Sequence, residues 1–155
     1  ITFTATYPLT IAMVTRDYLQ TDSGLEYIGT SRQQMGDGGF IAQVWDVALG
    51  RVVAATGPGW RGLVIQRAPL NTDCEKAADP ATACRFASLP EPAGWQAPGF
   101  DDSGWAAASV YTAAQVGTKE GYDTIRWDAA ARLIWGSDLK VDNVILWRWT
   151  ATAPA

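Results

Sequence analysis

The sequence predicts an all-β fold, an antiparallel β-sandwich with long loops and at most short helical turns. Three observations lead there. Apolar and polar residues alternate with a period of two through several short runs. Clusters of Gly, Pro and Asp separate those runs, as in Asp22-Ser-Gly24, Gly36-Asp-Gly-Gly39, Gly57-Pro-Gly59, Pro90-Glu-Pro92 and Asp101-Asp-Ser-Gly104. No stretch keeps a helical apolar spacing for more than about a turn. At 155 residues the chain fits one domain. We assign 1–150 to it and read 151–155, rich in Ala and Thr, as a linker stub. The chain starts at Ile1 without Met, as expected of a piece of a longer protein.

In chain order, Thr2–Tyr7 alternates, with Phe3, Ala5 and Tyr7 on one face. After Pro8 a second alternating run covers Leu9–Val14. Phe40–Val47 and Arg51–Ala55 read as a hairpin with Gly50 in its turn. Leu63–Gln66 is a short strand before Pro69. Thr124–Trp127 and Leu133–Trp135 are further strands. Asn143–Thr150 is the strongest: Val144 and Leu146 share one face, and Ile145, Trp147 and Trp149 share the other. Both faces are apolar, so this strand is predicted to be central or covered by a loop. Asp128–Arg132, with Asp128 as N-cap, and Ala106–Ala108 are each predicted as one helical turn.

Composition excludes several functions. With 48% hydrophobic and 18% charged residues the chain is not a disordered polymer. Net charge is −4 and the pI about 4.7, the wrong sign for the usual nucleic-acid surface. No apolar run is long enough for a membrane span. There is no histidine, which removes histidine-based triads, zinc sites and general bases. Gly57-Pro-Gly-Trp-Arg-Gly62 matches a dinucleotide fingerprint only formally, because β-branched residues follow it where that fingerprint needs a helix. Cys74 and Cys84 bracket a polar, Pro-containing loop. Their spacing suits neither a redox pair nor a zinc site, so they are predicted to form a disulfide, which favours a secreted or cell-surface location.

Residues 36–105 carry an ordered set of features. Gly36-Asp-Gly-Gly-Phe-Ile-Ala-Gln-Val-Trp-Asp-Val47 is followed by Leu49-Gly-Arg-Val-Val53 and Thr56-Gly-Pro-Gly-Trp-Arg61. Much later comes Gly94-Trp-Gln-Ala-Pro-Gly-Phe-Asp-Asp-Ser-Gly-Trp105. This resembles the sugar-binding-like β-sandwich domain near the N-terminus of bacterial α-L-rhamnosidases. More broadly it is similar to the galactose-binding-domain-like jelly rolls attached to glycoside hydrolases. The Cys74–Cys84 segment departs from that pattern. The resemblance implies a jelly-roll topology and a sugar-related duty.

Eight tryptophans are an unusual load for this length. An exposed indole face can stack on the C–H face of a sugar ring; a buried one simply fills core. Trp45, Trp127, Trp135, Trp147 and Trp149 lie on predicted strands and are assigned to the core. Trp60 and Arg61, adjacent in a Gly/Pro loop, and Trp95, in a Pro-rich stretch, are candidates for ligand contact. Arg32, Gln33 and Asp37 sit in a polar Gly-rich loop and offer forked donors and acceptors for vicinal hydroxyls. Asp101 and Asp102 read either as hard oxygen donors for calcium or sugar, or as an Asx turn that pins Phe100 and Trp105 in the core. The turn reading is preferred. No catalytic or metal-ligating residue is assigned, and a structural calcium ion is the one cofactor left open.

The expected function is therefore non-catalytic, lectin-like binding of a polysaccharide or glycan by an accessory module of a larger extracytoplasmic protein. Other domains of the parent chain are its further expected partners. The alternative is a structural, adhesion or assembly domain that binds no sugar. A hydrolase or lyase built on Asp, Glu, Tyr or Arg is the third option.

Overall fold

A computed structural model describes residues 1–153. The fold is an all-β sandwich with short helical turns, and every strand pairing is antiparallel. In order, the strands are β1 (Leu9–Arg16), β2 (Leu25–Glu26), β3 (Gln34–Met35), β4 (Gln43–Asp46), β5 (Arg51–Ala55) and β6 (Arg61–Arg67). Then come β7 (Ala87–Ser88), β8 (Ala106–Ala107), β9 (Ser109–Tyr111), β10 (Leu133–Trp135) and β11 (Asp142–Ala151). Among the described residues helical structure is confined to a 3-10 turn at Thr72–Lys76, α1 (Pro80–Ala83) and α2 (Ala113–Val116).

The main sheet runs β1–β11–β6–β7, with β8 also pairing β6. The apolar two-faced strand β11 thus lies between two long neighbours, as its sequence predicts. Register pairs Met13 with Trp147 and Ile11 with Trp149. On one face Ile145 and Trp147 pack with Ile134 and Trp135 of β10 and with Trp60. On the other, Val144 and Leu146 are covered by Trp95 and Trp105, with Phe100 packed against them. A ring as large as Trp147 fits because Gly62 lies beside it on β6. A Cβ at Gly62 would sit 2.5 Å from the indole Cζ3.

The predicted hairpin forms: β4 pairs β5, and the Gly50 amide, at φ 63°, donates to the Asp46 carbonyl. Cys74 and Cys84 are joined in a disulfide, packed with Leu25 in a small satellite core.

Several expectations are corrected. Among the described residues Thr2–Thr6 has no strand partner, and strand pairing begins at Leu9. Thr124–Trp127 is a turn end, a bend and irregular chain rather than a strand, and Trp127, assigned to the core, is only half-buried. Asp128 caps locally, its Oδ1 accepting from the Ala130 amide, without starting a helix. Ala106–Ala107 is strand β8, since edge pairing to β6 outweighs the helix propensity of alanine. Trp45 leaves the core: it lies on the short two-stranded β4–β5 ribbon and is 57% exposed. Ala151, expected in the linker stub, is the last residue of β11 and pairs with Leu9. Pro154 and Ala155 lie outside the described residues.

Candidate functional site

Two neighbouring features share Asp37. The first is a carboxylate cluster where the main sheet meets the β2–β3 ribbon. Asp17 directly follows β1, and its amide donates to the Asn143 carbonyl at 2.8 Å. This extends the β1–β11 ladder and fixes the side chain at the sheet end. Glu26 pairs across β2–β3 with Gln34, whose Nε2 donates to Glu26 Oε2 at 3.0 Å. The irregular segment after β3 brings in Gly36 and Asp37. A Cβ at Gly36 would lie 2.1 Å from Asp17 Oδ2 and 3.1 Å from Asn143 Oδ1, so close oxygens demand glycine there. Carboxylate oxygens of Asp17, Glu26 and Asp37 all lie within 4.8 Å of one another.

Burial pushes the Asp17 carboxyl up to about 6, and the adjacent Glu26 charge adds to the shift. Burial also raises Glu26, opposed by the Gln34 hydrogen bond. A carboxyl raised in the native state holds a proton that the unfolded chain has already released. Unfolding then releases protons, and stability falls as pH rises towards 6. In chelating buffer the melting temperature of wild type relative to Asp17→Asn should therefore drop between pH 4.5 and 7. A pH-independent difference would contradict the assignment.

The second feature is an open cleft of about 410 Å³, lined by Asp37, Phe40, Lys119, Glu120, Tyr122 and Trp127 among others. Its wall is built by α2 and the turn after it. Thr112 and Gln115 form a reciprocal capping box, and Gly117 closes the helix in the left-handed conformation at φ 70°. The chain then turns so that Lys119 Nζ donates to Asp37 Oδ2 at 2.9 Å. Asp37 in turn raises the Lys119 pKa through that bond and its charge. Tyr122 and Trp127 stack with centroids 6.1 Å apart, and the indole N–H donates to the Tyr122 carbonyl.

The six ligand residues expected from the sequence are not brought together. Trp60 is 2% exposed, between Trp149 and Phe40, with its N–H on the Ala55 carbonyl. Trp95 is also 2% exposed, and its N–H donates to Glu91. Neither offers a face to a ligand, because both loops fold back over the sheet rather than away from it. Gln33 is structural: it accepts from the Gly29 amide and donates to the Glu75 carbonyl. Arg32 is exposed over the Tyr27 ring, and Arg61 is exposed at the start of β6, reaching the Trp105 carbonyl. Only Asp37 stands at a candidate site. The preferred turn reading of Asp101 and Asp102 fits: hydrogen bonds from the Ser103 side chain and amide hold the Asp101 carboxyl below the usual range, and Asp102 pairs with Arg148.

Asp17, Glu26, Asn143 and Lys119 were not singled out by the sequence, since no fixed spacing links them. The one usable signal was the Gly-rich loop around Asp37. Comparisons of the chain with protein-family models, with curated proteins and with solved structures find no match.

Proposed function

We propose that this chain is a non-catalytic carbohydrate-binding module of a larger secreted or cell-surface protein, and that it binds glycan in the Phe40–Tyr122–Trp127 cleft. The observation that carries this reading is the pairing of aromatic walls with the Asp37–Lys119 ion pair at one open depression. Aromatic side chains suit the C–H face of a sugar, and a carboxylate beside an ammonium suits adjacent hydroxyls. The cleft is of a size to take a small ligand. The disulfide supports the extracytoplasmic assignment.

Trp127→Ala tests the reading. It should weaken retention on a polysaccharide matrix about tenfold or more, the order of a lost aromatic contact plus its buried area. The melting temperature should change by only a few degrees, because Trp127 is half-buried. Unchanged retention would refute the cleft as the site.

One observation favours the assembly alternative. Trp45, Val47 and Leu49 project from the β4–β5 hairpin as exposed apolar side chains, with Phe3 also exposed in the segment lining the adjacent groove. Such a patch suits another protein surface. If it is the working face, Trp45→Ser abolishes association and leaves the aromatic cleft without a ligand.

A further inference from the structure

We propose that Asp17, Glu26, Asp37 and Asn143 form a binding site for a hard divalent cation, calcium, at the junction of β1, β11 and the β2–β3 ribbon. This does not rest on the carbohydrate reading.

The acidic cluster alone would not justify the assignment; Asn143 does. It is fully buried, and its Nδ2 donates to the Ala68 carbonyl at 2.7 Å. That bond fixes the amide orientation, so Oδ1 must point the other way. Among the described residues Oδ1 has no hydrogen-bond partner, and neither do Asp17 Oδ2 and Glu26 Oε1. Leaving buried acceptors unpaired is costly, and a fold rarely collects three of them in one region without a use. The unpaired oxygens of Asp17 and Asn143 both face Gly36, where the Lys140 carbonyl also approaches, 3.2 Å from the same Cβ position.

The spacing fits one ion. Oxygens bound to a single calcium at about 2.4 Å can be at most about 4.8 Å apart. The three carboxylates meet that limit. Carboxylates, a side-chain amide oxygen and a nearby backbone carbonyl are calcium's donors. Magnesium is smaller, demands octahedral geometry and keeps more of its water. Zinc and copper would look for nitrogen or sulfur, but the chain has no histidine and both cysteines are in the disulfide. Charge also closes. Three carboxylates are met by one ammonium, Lys119 on Asp37, and a divalent ion balances the remainder. The ion would tie the ribbon to the end of the main sheet, and Asp37 would carry its effect to the cleft wall.

The test is calorimetric titration of chelator-treated, desalted protein with calcium chloride and with magnesium chloride, alongside thermal melts. Wild type should bind one calcium ion in preference to magnesium. At about 100 times the dissociation constant the melting temperature should rise by roughly 5–10 °C. Asp17→Asn and Glu26→Gln keep the shapes and remove one charge each. Each should weaken calcium at least about tenfold while melting, without calcium, at or above the wild-type temperature, because crowded like charges are relieved. That crossing of stabilities separates a lost ligand from a damaged fold, and Glu26→Gln alone suffices if Asp17→Asn fails to fold. Three results would overturn the proposal: no calcium heat or melting shift in wild type, undiminished calcium binding in both variants, or tighter magnesium than calcium.

Discussion

Asp102→Ala is expected to destabilise the protein by about 3 kcal/mol and lower its melting temperature by roughly 10 °C. The reason lies across the sheet. Arg148 is on β11, on the same face as Val144 and Leu146, and is 2% exposed. A charge that deep survives only if its donors are met. Its Nε donates to Asp102 Oδ2 at 2.9 Å, its Nη1 donates to the Trp95 carbonyl, and the guanidinium lies 5.3 Å from the Phe100 ring centroid. Asp102 side-chain atoms are partly exposed, which places the cost at the low end of the range for a broken buried pair. Asp101→Ala, which removes only exposed turn hydrogen bonds with Ser103, should cost far less than Asp102→Ala. Combining Asp102→Ala with Arg148→Met should recover much of the loss, since no unpaired charge remains. Thermal and urea denaturation of the four proteins checks this. Equal effects of the two aspartates would contradict the role given to Arg148.

Trp60→Ala is expected to cost about 3–5 kcal/mol, the usual range for deleting a buried tryptophan side chain. The indole stacks on Trp149 at 6.1 Å with planes 9° apart, and meets Phe40 edge-on at 5.9 Å. Its removal leaves a hollow at the centre of the larger core and an unmatched Ala55 carbonyl. Trp60→Phe should retain more than half of that stability, because ring packing survives while the hydrogen bond is lost. Denaturant melts provide the measurement. A Trp60→Ala protein as stable as wild type, but deficient in ligand binding, would restore Trp60 to the surface role its loop suggested.

The fold was legible where period-two alternation was backed by a partner. The sequence of β11 reveals a strand apolar on both faces, and the structure covers both. The Gly50 hairpin and the Cys74–Cys84 link were equally readable, since each depends on local geometry. Thr2–Thr6 alternates just as cleanly but finds no partner strand, and alternation alone does not pair a strand. The tryptophans were misread for two reasons. A Gly/Pro neighbourhood marks a bend, not the direction in which the loop folds afterwards, so Trp60 and Trp95 turned inward. Trp45, on a regular strand, turned outward because its ribbon has only two strands. The carboxylate cluster was illegible because Asp17, Glu26, Asp37 and Asn143 are gathered by β1–β11 register, by β2–β3 pairing and by the segment after β3. None of these is encoded as a spacing.

Chemical-shift mapping of isotopically labelled protein titrated with a panel of oligosaccharides tests the carbohydrate assignment most directly. The account predicts that at least one oligosaccharide shifts the Trp127 indole N–H and the backbone amides of Gly117–Tyr122, while the Trp60 and Trp95 indole signals stay in place. Silence across the panel, or shifts confined to Trp45 and the β4–β5 hairpin, would contradict it.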